Sequence, residues 1–215
     1  MTTPIRIVAL ISGGGRTVLN LQQAIEVDGL PAKIITVIAT RETLPGVQRA
    51  RDAGLSVQVP DTDDYDASLE RLVEGAAPDV ICLCGYLRLL RLRPEWRGRV
   101  LNIHPALLPR HGGQGMFGQH VHHAVLDAGD RFSGCTVHFV DEQYDHGPVL
   151  LQRACPVHED DTVDTLAARV FQEECQALPR AVSLLAEGRV RLDAGRVEIL
   201  PTSAGAMMPH QRVQE

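Results

Sequence analysis

Four short apolar segments separated by helix-patterned stretches occupy the first 84 residues, and this alternation constrains the fold more than any other feature. Residues 5–11 (IRIVALI), 33–40 (KIITVIAT), 56–59 and 79–84 (DVICLC) read as strands. Residues 18–27, 46–53 and 65–76 carry apolar positions at helical spacing between them. The strands show little apolar–polar alternation, so neither of their faces can be left in water. A helix between each pair of strands makes neighbours parallel, because a parallel pair needs a long crossover. The pattern therefore predicts a parallel sheet covered by helices on both faces.

The rhythm changes after Cys84. A fifth strand is expected over 99–103, leading into His104-Pro105, and a helix over 121–128. Strands at 134–140 and 148–153 follow with no helix between them, which predicts an antiparallel portion. Residues 163–187 read as one long helix or two short ones, with Pro179 marking a break. Segments 189–192 and 197–200 suggest a small hairpin, and 201–215 a flexible tail. The expectation is one domain over 1–200, a Rossmann-like three-layer α/β sandwich. Its central sheet is mostly parallel, with antiparallel strands near the C-terminal end.

Composition removes several function classes. Hydrophobic residues make up 44% of the chain and charged residues 22%, which suits a folded domain and not a disordered one. The 21 basic and 27 acidic side chains give a net charge of −6, so a general nucleic-acid binder is not expected. An anionic ligand must then be held by local groups. No apolar run reaches membrane-spanning length, and residues 7–11 are too short for a signal-peptide core, so the cytoplasm is the expected location. The five cysteines are odd in number and mostly lie in apolar stretches, which suits buried thiols better than disulfides.

Four clusters could carry chemistry. Ser12-Gly13-Gly14-Gly15-Arg16-Thr17 joins the first strand to the first helix, where backbone N–H groups and the helix end can hold a phosphate. It lacks the lysine motif of ATP sites, and no acidic residue ends the second strand as in NAD sites. Asn102 and His104 are two apart, so an extended chain presents both on one side. Histidine exchanges protons near neutral pH, and an asparagine N–H can stabilise an oxyanion. Residues 141–148 (DEQYDHGP) gather ionisable groups in a Gly-Pro turn between two strands, where a carboxylate could orient a catalytic histidine or simply face water. His111, His120, His122 and His123 invite a metal reading, but no HExxH or cysteine pairing accompanies them, so no metal is expected.

The run Asn102-Ile103-His104-Pro105-Ala106-Leu107-Leu108-Pro109, followed by residues 134–145 and Asp145-His146-Gly147-Pro148, resembles the folate-dependent formyltransferases. Ile11-Ser12-Gly13-Gly14-Gly15 leading into Asn20-Leu21-Gln22 resembles the phosphoribosylglycinamide branch of that family. The resemblance covers residues 5–190. It implies formyl transfer from 10-formyltetrahydrofolate to the amine of glycinamide ribonucleotide, with both as small-molecule substrates. It also implies a catalytic trio of Asn102, His104 and Asp145. Gly14, Gly15, Arg16, Thr17 and Glu174 would bind the substrate phosphate and ribose. Leu87, Arg88, Leu89, Leu90, Val140, Asp141 and Asp145 would hold the folate. Thr136 and His138 match the family strand beside the trio.

Two segments depart from the family pattern. The phosphate loop reads Gly15-Arg16-Thr17 where the family has Gly-Ser-Asn, and the loop at 110–118 is longer. Both touch the amine side. A sugar-nucleotide formyltransferase therefore stays open as an alternative, as does a nonenzymatic folate- or nucleotide-binding regulator. Methionyl-tRNA formyltransferase and formyltetrahydrofolate deformylase fit less well, since each adds a domain not visible here. The chain is expected to act as a monomer or homodimer.

Overall fold

A computed structural model describes residues 3–202. Most of the expected tail at 201–215 lies outside the described residues. The elements run β1 (Ile5–Ile11), α1 (Arg16–Glu26), β2 (Ala32–Ala39), α2 (Pro45–Asp52), β3 (Val57–Gln58), α3 (Tyr65–Ala76) and β4 (Val80–Leu83). A short 3-10 turn at Pro94–Trp96 precedes β5 (Val100–His104), α4 (Gln119–Asp127), β6 (Phe132–Phe139), β7 (Val149–Pro156) and α5 (Val163–Ala186). Strands β8 (Val190–Asp193) and β9 (Arg196–Ile199) form the expected separate hairpin.

One seven-stranded sheet has the order β3-β2-β1-β4-β5-β6-β7. Strands β1 to β5 pair in parallel, and β6 and β7 are antiparallel. The near-continuous apolar composition of β1 has a direct structural cause. Ile7, Ala9 and Ile11 enter one core layer, while Val8 and Leu10 enter the layer on the opposite face. All five side chains are fully buried, and each large one contributes roughly 1.5–3 kcal/mol by leaving water. Cys82 and Cys84 share the first layer, as their two-residue spacing predicts.

The helix at the C-terminal end of the sheet corrects one expectation. Pro179 does not break it: α5 runs unbroken over 24 residues from Val163 to Ala186. Proline removes one backbone hydrogen bond at a cost of about 3 kcal/mol. Ala177, Leu178, Ala181, Val182 and Leu184 are buried on both sides of it, and their packing outweighs that loss. The front of the helix is fixed by a capping box between Thr162 and Thr165.

The chain leaves β1 toward β2 on one side, while β4 lies on the other. Ligands of open α/β sheets bind where the strand order reverses in this way, beyond the strands' carboxyl ends. The loops after β1, β4 and β5 all meet there.

Candidate active site

A cleft of about 700 Å³ opens at this reversal point. Its walls include Arg16 and Thr17 from the start of α1, residues 86–90 after β4, Asn102 and His104 from β5, Asp145 from the β6–β7 loop, and Glu174 from α5.

Asp145 is the hub of the polar cluster. Asn102 Nδ2 donates to its Oδ1 at 3.2 Å, and the Gly113 N–H donates to its Oδ2 at 3.0 Å. His104 Nδ1 lies 3.4 Å from the same Oδ2. Asp145 adopts a left-handed backbone with φ 53°, a conformation that Asp tolerates better than most residues. The next turn is equally constrained, since a Cβ on Gly147 would lie 1.9 Å from the Phe139 carbonyl. Burial pushes the Asp145 carboxyl up, but His138, His104 and the Gly113 N–H outweigh it and leave the group below its ordinary range.

The amide of Asn102 has only one possible orientation. His138 Nδ1 must donate to the Phe139 carbonyl at 2.9 Å, because a carbonyl can only accept. With Nδ1 donating, a neutral ring would leave Nε2 as an acceptor, 3.1 Å from Asn102 Nδ2. Both amide protons are then directed, one at His138 and one at Asp145. This pairing is built by register, since Asn102 and His138 are direct partners across the antiparallel β5–β6 ladder.

His104 is 3% exposed. Its Nε2 donates to the His111 carbonyl at 2.8 Å. Burial pushes its pKa down, against the pull of Asp145 and that carbonyl in the opposite direction. The segment beyond His104 is held by Thr136, whose hydroxyl donates to the Ala106 carbonyl at 2.7 Å and accepts from the Leu108 N–H at 3.0 Å. Gln152 donates to the same hydroxyl at 2.8 Å.

At the start of α1, the guanidinium of Arg16 stacks 3.8 Å above the Phe171 ring. Burial raises the Glu174 carboxyl to about 7, with Arg16 drawing it back down. Gly14 and Gly15 are not among the residues lining the cleft. Gly14 instead accepts a hydrogen bond from Arg49 through its carbonyl. The glycine loop also packs tightly on α2, where a Cβ on Gly46 would come within 2.5 Å of the Gly13 carbonyl.

On the opposite side, Leu87, Arg88, Leu89, Leu90 and Val140 line the cleft as a group. Arg88 stacks 3.9 Å over Tyr65. Asp141 does not line the cleft. Its carboxylate accepts from His146 Nδ1 at 2.6 Å and from the Gln143 N–H at 2.9 Å, so it shapes its own loop. Ser12 ties the two sides together by accepting the Leu87 N–H at 3.0 Å.

Among the described residues, no group of three or more His, Cys, Asp or Glu side chains could hold a metal ion. Two histidines of the sequence cluster have other partners. His111 meets Asp130 at 2.7 Å, and His120 packs edge-on against Phe117. Burial pushes the Cys82 thiol up to about 12, far from a nucleophile's range. No helix among the described residues is long and apolar enough to cross a membrane.

Sequence reasoning missed Gly113, Gln152, Phe171 and the His111 carbonyl. A backbone group leaves no side-chain signature, and Phe171 reads simply as an apolar position of a helix.

Comparison with known proteins identifies the family. The formyl transferase family matches residues 5–182. A trifunctional purine biosynthetic protein adenosine-3 of Drosophila melanogaster is 41% identical over 85% of the chain. The chain spans only 14% of that relative's length. The phosphoribosylglycinamide formyltransferase of Escherichia coli is 34% identical over 86% of this chain and 89% of its own. The crystal structure of glycinamide ribonucleotide transformylase 1 from Symbiobacterium toebii superposes with a TM-score of 0.84 at 37% identity, covering 94% of this chain and 96% of that one. With a family match across most of its length and the polar cluster of Asn102, His104 and Asp145 in its cleft, the chain belongs to the formyl transferase family.

Proposed function

We propose that the chain transfers a formyl group from 10-formyltetrahydrofolate to the amine of glycinamide ribonucleotide. The observation that carries this reading is the convergence of Asn102 and His104 on one carboxylate, in a cleft also lined by Arg16 and by Leu87, Leu89, Leu90 and Val140. Relatives named for this activity cover nearly the whole chain.

The amine lone pair attacks the formyl carbon, and the carbonyl opens to a tetrahedral oxyanion. Collapse breaks the bond between carbon and the N10 nitrogen of the folate. The proton lost by the amine passes through water beside Asp145 to that leaving nitrogen. Asn102 supplies a donor to the oxyanion, and the long 3.2 Å bond to Asp145 is the one it gives up. His104 stabilises the same charge in its protonated form, which Asp145 favours. A donor of this kind typically contributes about 100- to 1000-fold in rate. Holding both substrates in one cleft supplies much of the rest. No covalent enzyme intermediate and no metal is required.

In this reading Arg16, Thr17 and Glu174 face the ribose phosphate, while residues 87–90 and Val140 face the pterin. The chain works in the cytoplasm on two small molecules, as a monomer or homodimer. A formyl-transfer assay with 10-formyltetrahydrofolate and a panel of primary amines tests the proposal. Turnover of glycinamide ribonucleotide above all other amines is expected. Preference for a sugar nucleotide, or folate binding with no turnover of any amine, would overturn it.

A further inference from the structure

We propose that Asp130 is a positioning residue for the reaction: through the ring of His111 it fixes the backbone carbonyl that holds His104 in its Nε2–H form. The inference rests on the role given to His104 above.

The argument starts from backbone geometry. His111 adopts a left-handed conformation with φ 55°, which costs energy for a residue with a side chain and persists only where its surroundings impose it. Here the imposing contact is visible. His111 Nε2 donates to Asp130 Oδ2 at 2.7 Å, with the two side chains only 13% and 17% exposed. Asp130 stands beyond the end of α4, so it is anchored by a different element. With the ring held from that side, the His111 carbonyl is turned inward to accept the His104 Nε2–H at 2.8 Å.

This contact decides the proton position on His104. Its other nitrogen, Nδ1, faces the Asp145 carboxylate at 3.4 Å. Left alone, a neutral ring beside a carboxylate would place its proton on Nδ1. The carbonyl instead keeps the proton on Nε2, so Nδ1 stays free to take up a proton against Asp145. The groups facing His104 are Asp145, His138, His122 and His111. Among the described residues, the hydrogen-bond partner of Nε2 is the His111 carbonyl.

Asp130 also accepts from Arg110 at 2.6 Å, but the Arg110 side chain is 64% exposed. An exposed pair of that kind contributes little, so the ring contact is the consequential one. Arg131 lines the same recess without a bond to Asp130 among the described residues.

The experiment compares Asp130→Ala, Asp130→Asn and Arg110→Ala in the full chain. Steady-state kinetics is paired with ¹⁵N NMR of the histidine rings, His104 being assigned by the signal lost in His104→Gln. Wild type should show His104 with its proton on Nε2. Asp130→Ala should move that proton toward Nδ1, shift the His104 titration to lower pH, and cut kcat by about ten- to a hundredfold. KM for both substrates should stay within about twofold. Asp130→Asn keeps an acceptor for the His111 ring and should restore most of the rate. Arg110→Ala should match wild type.

Should Asp130→Ala fail to fold, His111→Gly carries the same expectation, because glycine keeps the left-handed turn and removes the ring. Unchanged His104 tautomer and titration in Asp130→Ala or His111→Gly would overturn the inference, whatever happens to the rate. Full turnover in His104→Gln would instead overturn the role of His104 itself.

Discussion

Asn102 Nδ2 lies 3.1 Å from His138 Nε2, and that single contact fixes which end of the amide faces Asp145. A flipped amide would set its oxygen against a bare nitrogen on one side and a carboxylate on the other. The amide N–H end is therefore already turned to the Asp145 side before any substrate arrives, and serving an oxyanion costs only the long 3.2 Å bond to that carboxylate.

Asn102→Ala and His104→Ala should each lower turnover at least about 100-fold. Both side chains line a cleft, so the variants should fold and retain folate binding. Kinetics alongside thermal melts checks this. Turnover near wild type in either variant removes that residue from the chemistry.

Asp145→Asn should also lose most activity but still bind folate, since the backbone groups of its loop remain. An amide cannot balance an imidazolium on His104, and one of its two ends must face the Asn102 N–H or the Gly113 N–H as a donor. The Asp145 carboxyl is held below its usual range, so the stabilisation from its charge is present above the unfolded value of about 3.9 and fades as pH falls through the native one. Asp145→Asn should flatten the acid side of the stability curve. An active variant with an unchanged acid side would reduce Asp145 to a turn residue.

Arg16→Ala should raise KM for the phosphorylated amine by about ten- to a hundredfold, as expected for loss of a charged hydrogen bond worth about 1.5–3 kcal/mol. The guanidinium face is occupied by Phe171 at 3.8 Å, while its edge donors have no hydrogen-bond partner among the described residues and suit a phosphate. KM for the folate should barely change. Equal KM values for the amine in both proteins would show that Arg16 does not meet the phosphate.

Glu174→Gln should change stability in a defined pH window. Burial raises the carboxyl from 4.5 to about 7. The folded chain keeps a proton that the unfolded chain releases, so this contribution is complete below 4.5 and is lost as pH rises through about 7. The melting temperature of the variant should decline less steeply than wild type across that interval. Parallel curves would place Glu174 in a more solvated setting.

Chelator treatment should leave activity unchanged, and protein purified without a histidine tag should contain well below one equivalent of zinc. A stoichiometric zinc lost together with activity would contradict the non-metal reading.

The strands of the parallel half were readable because burial on both faces suppresses alternation, as Ile7 to Ile11 demonstrate. The family motif carried the positions of Asn102, His104 and Asp145. Their mutual geometry was another matter. The pairing of Asn102 with His138 depends on antiparallel register, which nothing local in either strand specifies. Pro179 misled because a local breaker was outweighed by the packing of distant residues. His111 and Asp130 were hidden because the active group is a carbonyl, directed by a backbone conformation that composition does not encode. Asp141 looked equivalent to its neighbour Val140, yet it turns away to serve its own loop.

The bond from the Leu87 N–H to the Ser12 hydroxyl bears on the order in which two ligands can assemble. In the proposed reading, one partner begins the loop assigned to the phosphate, and the other begins the segment assigned to the pterin. A ligand that stills either segment removes part of the freedom the other must surrender, so the second ligand meets a smaller entropic penalty. Thermodynamic reciprocity then demands that each substrate tighten the other by the same factor. Calorimetric titration of one substrate analogue, with and without the other, should reveal this synergy in wild type and its weakening in Ser12→Ala.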